Sequence, residues 1–195
     1  MGSDGAIAPI QRATFVTSPL TPKREGVVAE EAARLRSVLC RLGVPDHAIK
    51  VTLPAPALLG ERMWEEARSG AAYATREAFV EATVPYLRRE LELLKAAGVA
   101  VVQIDDPHLC LFVDEKVRAR HADPEASAAF AVEQINRLVS GLRSETFTLA
   151  VHLCRWAGGR ALGEHDFGGG LGPIVPHINK LDVSHLTIEC TEITI

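Results

Sequence analysis

The sequence has few aromatic residues, no long apolar run and only a mild excess of one charge. Phe, Trp and Tyr make up 5% of its 195 residues, which leaves few rings on which the bases of single-stranded nucleic acid could stack. The formal net charge is −4, so no cationic surface is expected to attract nucleic acid or an anionic membrane. No apolar run approaches the roughly 20 residues that span a bilayer. We therefore expect neither nucleic acid nor a membrane as a partner.

Cysteine is scarce as well, and its distribution excludes a small disulfide-stabilised fold. The four cysteines are too few and too widely spaced for such a framework, so ligand or catalytic use is the better interpretation; they are Cys40, Cys110, Cys154 and Cys190. The N-terminal residues MGSDGAIAPIQR lack the basic region and long apolar stretch of a secretory signal. We predict a cytoplasmic protein with a flexible leader over residues 1–13 and a single domain over residues 14–195.

What the sequence does contain is an alternation of helical and strand patterns. Apolar residues recur at helical spacing in three long segments, at 25–43, 75–98 and 124–142. Short apolar, β-rich runs lie between and after them, at 48–54, 99–107, 146–155 and 185–195. Nearly continuous apolar strands alternating with helices predict an α/β fold whose parallel sheet is covered on both faces. The pattern suggests a (β/α)8 barrel, but an incomplete one, because a full barrel needs roughly 250 residues.

Chemically active side chains lie at or just beyond the C-terminal ends of three predicted strands. Asp105 and Asp106 lie at the end of one strand, His152 and Cys154 lie at the end of the next, and Glu189 follows the apolar residues LTI of the last. Ligand sites of barrels and of open α/β sheets lie at this end of the strands. The sequence therefore predicts that these groups lie close together.

His152, Cys154 and Glu189 are candidate metal ligands. A spacing of two along a strand directs the imidazole and the thiol to the same face, and zinc prefers such ligands, often three with one position open. The alternative interpretation is plain burial, since cysteine is among the most buried residues. Glu189 favours the metal, because a buried carboxylate without a partner costs several kcal/mol.

Several motifs resemble one known family. The segments are KVTLPAP (50–56), VVQIDDPHL (101–109), HLC (152–154) and LDVSHLTIECTE (181–192). In this order they are similar to motifs of the catalytic domain of cobalamin-independent methionine synthase, within the superfamily that also includes uroporphyrinogen decarboxylase. The resemblance is greatest to the shorter, single-domain homologues, and it covers about positions 48–192.

The resemblance implies a zinc-dependent transfer of a methyl or alkyl group to a thiol. It makes His152, Cys154 and Glu189 zinc ligands, and it makes Asp105, with Asp106 beside it, the site for the amino group of a homocysteine-like thiol. The implied methyl donor is a methyl-folate, whose departure requires an acid. The candidates for that acid are His108, His165 and Asp166.

The main departure from the family is length. The family's fourth zinc ligand, a cysteine on a later strand, has no counterpart in this sequence, nor do the family's opening β/α units. Three explanations remain open: a shortened relative that completes its sheet by oligomerising, one piece of a split enzyme with a complementary subunit, or a minimal domain without catalysis. A decarboxylase of the uroporphyrinogen type is a further alternative, which the His-x-Cys pair disfavours. A barrel with open edges predicts a partner surface along the terminal strand.

Overall fold

The computed structural model describes residues 14–43, 49–154 and 170–189. Strands in these residues are β1 Lys50–Pro54, β2 Val101–Asp105, β3 Thr148–Leu153 and β4 His185–Ile188. Helices there are α1 Val27–Arg41, α2 Pro56–Met63, α3 Glu66–Ser69, α4 Arg76–Ala96, α5 Pro107–Leu111, α6 Glu115–Arg118, α7 Pro124–Val139 and α8 Val175–Ile178. The predicted order of long helices and strands is confirmed.

The strands form one parallel sheet in the order β1-β2-β3-β4. Each strand therefore pairs with its neighbour in the chain, and each intervening connection crosses over through helices, as in a barrel. The register pairs Asp105 with His152 and His152 with Thr187. This arrangement confirms the α/β class and the incomplete barrel.

The two faces of the sheet differ sharply in chemistry. Leu53, Ile104 and Val151 project to one face and belong to the core that also contains Leu91 of α4 and Ile135 of α7. Alternate positions project to the other face, and many of these are polar: Thr52, Gln103, Asp105, His152 and Thr187. The strands, which the sequence presents as nearly continuous apolar runs, thus carry polar side chains on one face. The polar positions alternate with apolar ones, as they do in a strand whose inner face carries a site.

The three long helices α1, α4 and α7 are predicted from the sequence, whereas the short helices α2 and α5 are not. Helix α4 continues through Pro85, and residues with positive φ follow α4 and α7, at Gly98 (φ 71°) and Gly141 (φ 69°). Helices α2 and α5 begin almost directly after β1 and β2, each with a proline in its first turn. Among the described helices, none is both long and apolar enough to cross a membrane.

Asp106 begins helix α5 from a completely buried position. Its Oδ1 accepts a hydrogen bond from the Leu109 backbone N–H at 2.9 Å, which is a helix N-cap contact. Its own backbone N–H donates to the carbonyl of His152 at 2.9 Å, which ties the start of the helix to β3. Burial raises the pKa of the Asp106 carboxyl to about 6.

We predict that Leu149→Ala destabilises the fold by about 2–5 kcal/mol, because it leaves a cavity in the core. Leu149 is 0% exposed and is the second residue of β3. The measurement is the free energy of unfolding in urea. Leu42→Ala is the matched control, since Leu42 is 69% exposed after α1 and its loss should change stability by less than about 0.5 kcal/mol. Equal effects of the two substitutions would contradict the assigned core.

We also predict a specific pH dependence of stability from Asp106. A carboxyl whose pKa is higher in the folded state, here about 6, adds stability that is complete below the unfolded pKa and is lost as the pH rises through the folded value. Asp106→Asn keeps an oxygen for the helix cap and removes the charge. Relative to wild type, the variant should therefore gain about 3 kcal/mol in unfolding free energy between about pH 3 and pH 7. Parallel stability curves for the two proteins would contradict the buried charge.

Candidate functional site

The candidate site lies on the polar face of the sheet at the C-terminal ends of β2, β3 and β4. Two rows of side chains cross this face in register. The first row contains Thr52, Gln103, Ala150 and His185, and the second contains Pro54, Asp105, His152 and Thr187. Because register partners in a parallel sheet project to the same face, polar residues far apart in sequence become neighbours.

Asp105 and His152 are in direct contact. The His152 Nδ1 atom lies 3.1 Å from the Asp105 Oδ1 atom, and the two side chains are 29% and 33% exposed. The Gln103 Nε2 atom donates to the same Oδ1 at 2.7 Å. A carboxylate thus joins β2 to β3 at the point where the sequence predicts both a substrate-binding group and a metal ligand.

Gln103 was not among the residues selected from the sequence. The signal that could have identified it is its spacing, because a polar residue two positions before Asp105 on a strand shares its face. Gln103 is 7% exposed, and its Oε1 atom is buried with no hydrogen-bond partner among the described residues.

Cys154 and Glu189 extend the same edge of the sheet. Cys154 follows β3 two positions after His152 and is half-buried. The Glu189 backbone N–H donates to the Leu153 carbonyl at 2.9 Å, so the register of Leu153 with Ile188 continues by one residue and brings Glu189 beside Cys154. The backbone therefore brings all three predicted ligands to neighbouring positions on one face.

The types of donor suit zinc, but their side chains are not gathered around a point. Imidazole, thiolate and carboxylate are ligands that zinc takes in proteins. In the described parts of the chain, no group of three or more His, Cys, Asp or Glu side chains is arranged to hold a metal ion. The contact of His152 with Asp105 occupies the Nδ1 atom of its ring. Its Nε2 atom is therefore the nitrogen suited to ligation.

Asp106 has a different environment from Asp105 although the two are adjacent. Asp105 lies on the half-exposed polar face, whereas Asp106 is 0% exposed and caps α5. Its Oδ2 atom is buried without a hydrogen-bond partner among the described residues. The predicted acidic pair therefore separates into one carboxylate on the site face and one at the helix start.

His108 lies among helices. Its Nε2 atom is 3.4 Å from Glu61 Oε1, and its ring packs edge-on against Phe112. Burial lowers the pKa of His108 to about 4, so at pH 7 the ring is neutral and has no imidazolium proton to donate. It borders a cavity of about 520 Å³ whose lining comes from helices and loops, with Arg76 and His121 among the residues. The other two candidate acids, His165 and Asp166, lie outside the described residues.

Comparison with known proteins points to one family. Residues 68–194 match the family described as the catalytic domain of cobalamin-independent synthase. A 5-methyltetrahydropteroyltriglutamate–homocysteine methyltransferase from Streptomyces coelicolor is 32% identical over 103 residues, which are 53% of this chain and 11% of that relative. This chain therefore spans only about a tenth of the length of that relative.

Solved structures show the same fold. A B12-independent methionine synthase from Shewanella sp. W3-18-1, in complex with selenomethionine, superposes with a TM-score of 0.65 at 22% identity and covers 91% of this chain and 47% of that one. A putative vitamin-B12 independent methionine synthase from Listeria monocytogenes superposes with a TM-score of 0.50 at 19% identity and covers 74% of this chain and 42% of that one.

The family match includes β2, β3 and β4 and therefore every predicted site residue on them. The chain spans about half the length of the solved structures that it resembles. On the strength of the match over residues 68–194, this chain belongs to the family of the cobalamin-independent methionine synthase catalytic domain.

Proposed function

We propose that this chain carries the metal- and thiol-binding part of a methionine synthase-type site, which transfers a methyl or alkyl group to a homocysteine-like thiol. The observation that carries the proposal is the common placement of Asp105, His152, Cys154 and Glu189 on one face, at the ends of adjoining strands. Active sites of barrel enzymes are built at this end. The relatives named as methyltransferase and as methionine synthase support the reaction class.

In this proposal His152, Cys154 and Glu189 hold a zinc ion. Zinc, when bound, favours the thiolate form of a coordinated substrate thiol near neutral pH. His152 would ligate through Nε2, because its Nδ1 atom faces Asp105. The half-buried positions of Cys154 and Glu189 leave them accessible from the polar face. The alternative role, simple packing, does not explain why three donor types that suit zinc share one edge of the sheet.

Asp105 and Asp106 receive different tasks. Asp105 binds the substrate ammonium group with Oδ2, since its Oδ1 already accepts from Gln103 and contacts His152. Asp106 supports this arrangement by fixing the start of α5 and by its backbone bond to His152. The binding of selenomethionine by the Shewanella relative is consistent with an amino-acid thiol or thioether as ligand. A methyl-folate is the proposed donor, with His165 or Asp166 as the acid.

The sheet requires further strands if it is to close. The described sheet has four strands, whereas a barrel has eight, and a parallel sheet with two open outer strands exposes unpaired backbone groups. We propose that strands of a second copy or of a complementary polypeptide pair with the outer strands β1 and β4. The proposed location is the cytoplasm, where thiols stay reduced.

The second candidate function is a non-catalytic fragment that keeps the fold and the metal.

The zinc site predicts about one zinc per chain in the purified protein. Cys154→Ser should lower the bound zinc strongly, because a hydroxyl is a much poorer zinc ligand than a thiolate. Metal content is measured by elemental analysis after dialysis against trace zinc. Cys40→Ser is the control, since Cys40 lies exposed on α1 away from the sheet. Zinc content that is the same in all three proteins, or absent from wild type, would reject the site.

The substrate assignment predicts an effect of Asp105→Asn on turnover of homocysteine with a methyl-folate. Loss of a charged hydrogen bond to the ammonium group should reduce kcat/KM by about 10–100-fold, mainly through KM for the thiol. Asp182→Asn is the control, because Asp182 is exposed and pairs with Arg143 at the surface. Zinc binding without turnover, also after mixing with candidate partner polypeptides, would favour the non-catalytic alternative.

A further inference from the structure

Gln103, Asp105 and His152 form a continuous chain of contacts across two strands. Gln103 and Asp105 are two residues apart on β2, and His152 is the register partner of Asp105 on β3. Gln103 Nε2 lies 2.7 Å from Asp105 Oδ1, and His152 Nδ1 lies 3.1 Å from that same oxygen. One carboxylate oxygen thus receives two contacts, one from each strand.

The orientation of the Gln103 amide follows from its neighbour. A carboxylate oxygen accepts hydrogen bonds and cannot donate them, so the amide nitrogen must face Asp105. The reversed amide would place Oε1 against the carboxylate, acceptor against acceptor. Gln103 is 7% exposed, and its Oε1 atom has no partner among the described residues. The contact with Asp105 therefore supplies a hydrogen bond for the amide nitrogen of this buried side chain.

The same argument determines the tautomer of His152. Nδ1 faces Oδ1 of Asp105, and only a protonated Nδ1 makes that contact a hydrogen bond. In the neutral ring the lone pair then lies on Nε2. Metal-binding histidines commonly donate their second nitrogen to a carboxylate in this way, which fixes the ring and raises its basicity.

We propose that Gln103 is a positioning residue: it holds the Asp105 carboxylate so that Oδ1 faces His152 Nδ1, which keeps His152 in the Nδ1–H tautomer with Nε2 available for ligation. This inference deepens the proposed function and rests on it for the identity of the metal. Without the amide, Oδ1 of Asp105 loses one of its two contacts, and the carboxylate can turn from His152 towards the solvent on the half-exposed face. Oδ2 of Asp105 then loses its fixed direction as well, so Gln103 positions both the metal ligand and the substrate carboxylate.

The test compares wild type with Gln103→Met, which preserves the length of the side chain and removes the amide donor. Long-range ¹H–¹⁵N NMR of the metal-free protein at about pH 8 reports which nitrogen of His152 carries the proton. Wild type should show the Nδ1–H form, and the variant should show a mixture of tautomers. The zinc dissociation constant should rise about tenfold or more in the variant. Gln103→Leu repeats both measurements if the methionine variant does not fold.

Thr52→Val is the matched control, because Thr52 is the register partner of Gln103 on β1 and projects to the same face. It should leave the tautomer and the zinc affinity of wild type unchanged. A wild-type His152 protonated at Nε2, or the same tautomer in wild type and in Gln103→Met, would overturn the inference. Because the tautomer is read without metal, a wild type that binds no zinc rejects the proposed function alone.

Discussion

The parallel register of β2 with β3 is the constraint on which the site depends. It places Asp105 beside His152, residues 47 positions apart in sequence, within hydrogen-bond distance. The register is set on the other face, where Ile104 and Val151 are fully buried among the helices. A slip by one residue would turn every buried apolar side chain towards the polar face, so packing on one face determines the geometry on the other. The apolar core thus determines which polar side chains are neighbours in the candidate site.

Burial divides the charged groups near the end of β2 into two kinds. The pKa of Asp106 is raised and that of His108 is lowered, and in both cases the first cause is burial, which disfavours the charged form. Asp105 and His152 remain partly exposed on the polar face. The groups that we propose to bind an ion and an ammonium therefore occupy the face where charge is tolerated. Their neighbours Asp106 and His108 lie at the start of α5 and among the packed helices.

The family membership and the span of the chain have to be considered together. The superposition with the Shewanella structure includes 91% of this chain but only 47% of that structure. The described sheet has four strands, whereas a barrel has eight. The strands present are those that bear the predicted ligands, and their C-terminal ends already share one edge. Closure by other strands would enclose the polar face and strengthen the electrostatic interactions there, because exclusion of water lowers the local dielectric constant. The zinc chemistry and the barrel closure are thus linked parts of one proposal.

The sequence alone determined the α/β class, the three long helices, the four strands and the strand ends on which the site lies, because these follow from local periodicity and spacing. It also indicated the zinc-type donors, since His152 and Cys154 are close in sequence. Only the tertiary structure decided which neighbours share contacts. The pairing of Asp105 with His152, the contact of Gln103 with Asp105 and the separation of Asp106 into a buried helix cap all depend on register and burial. Those arise from contacts between segments distant in sequence, which no local pattern encodes.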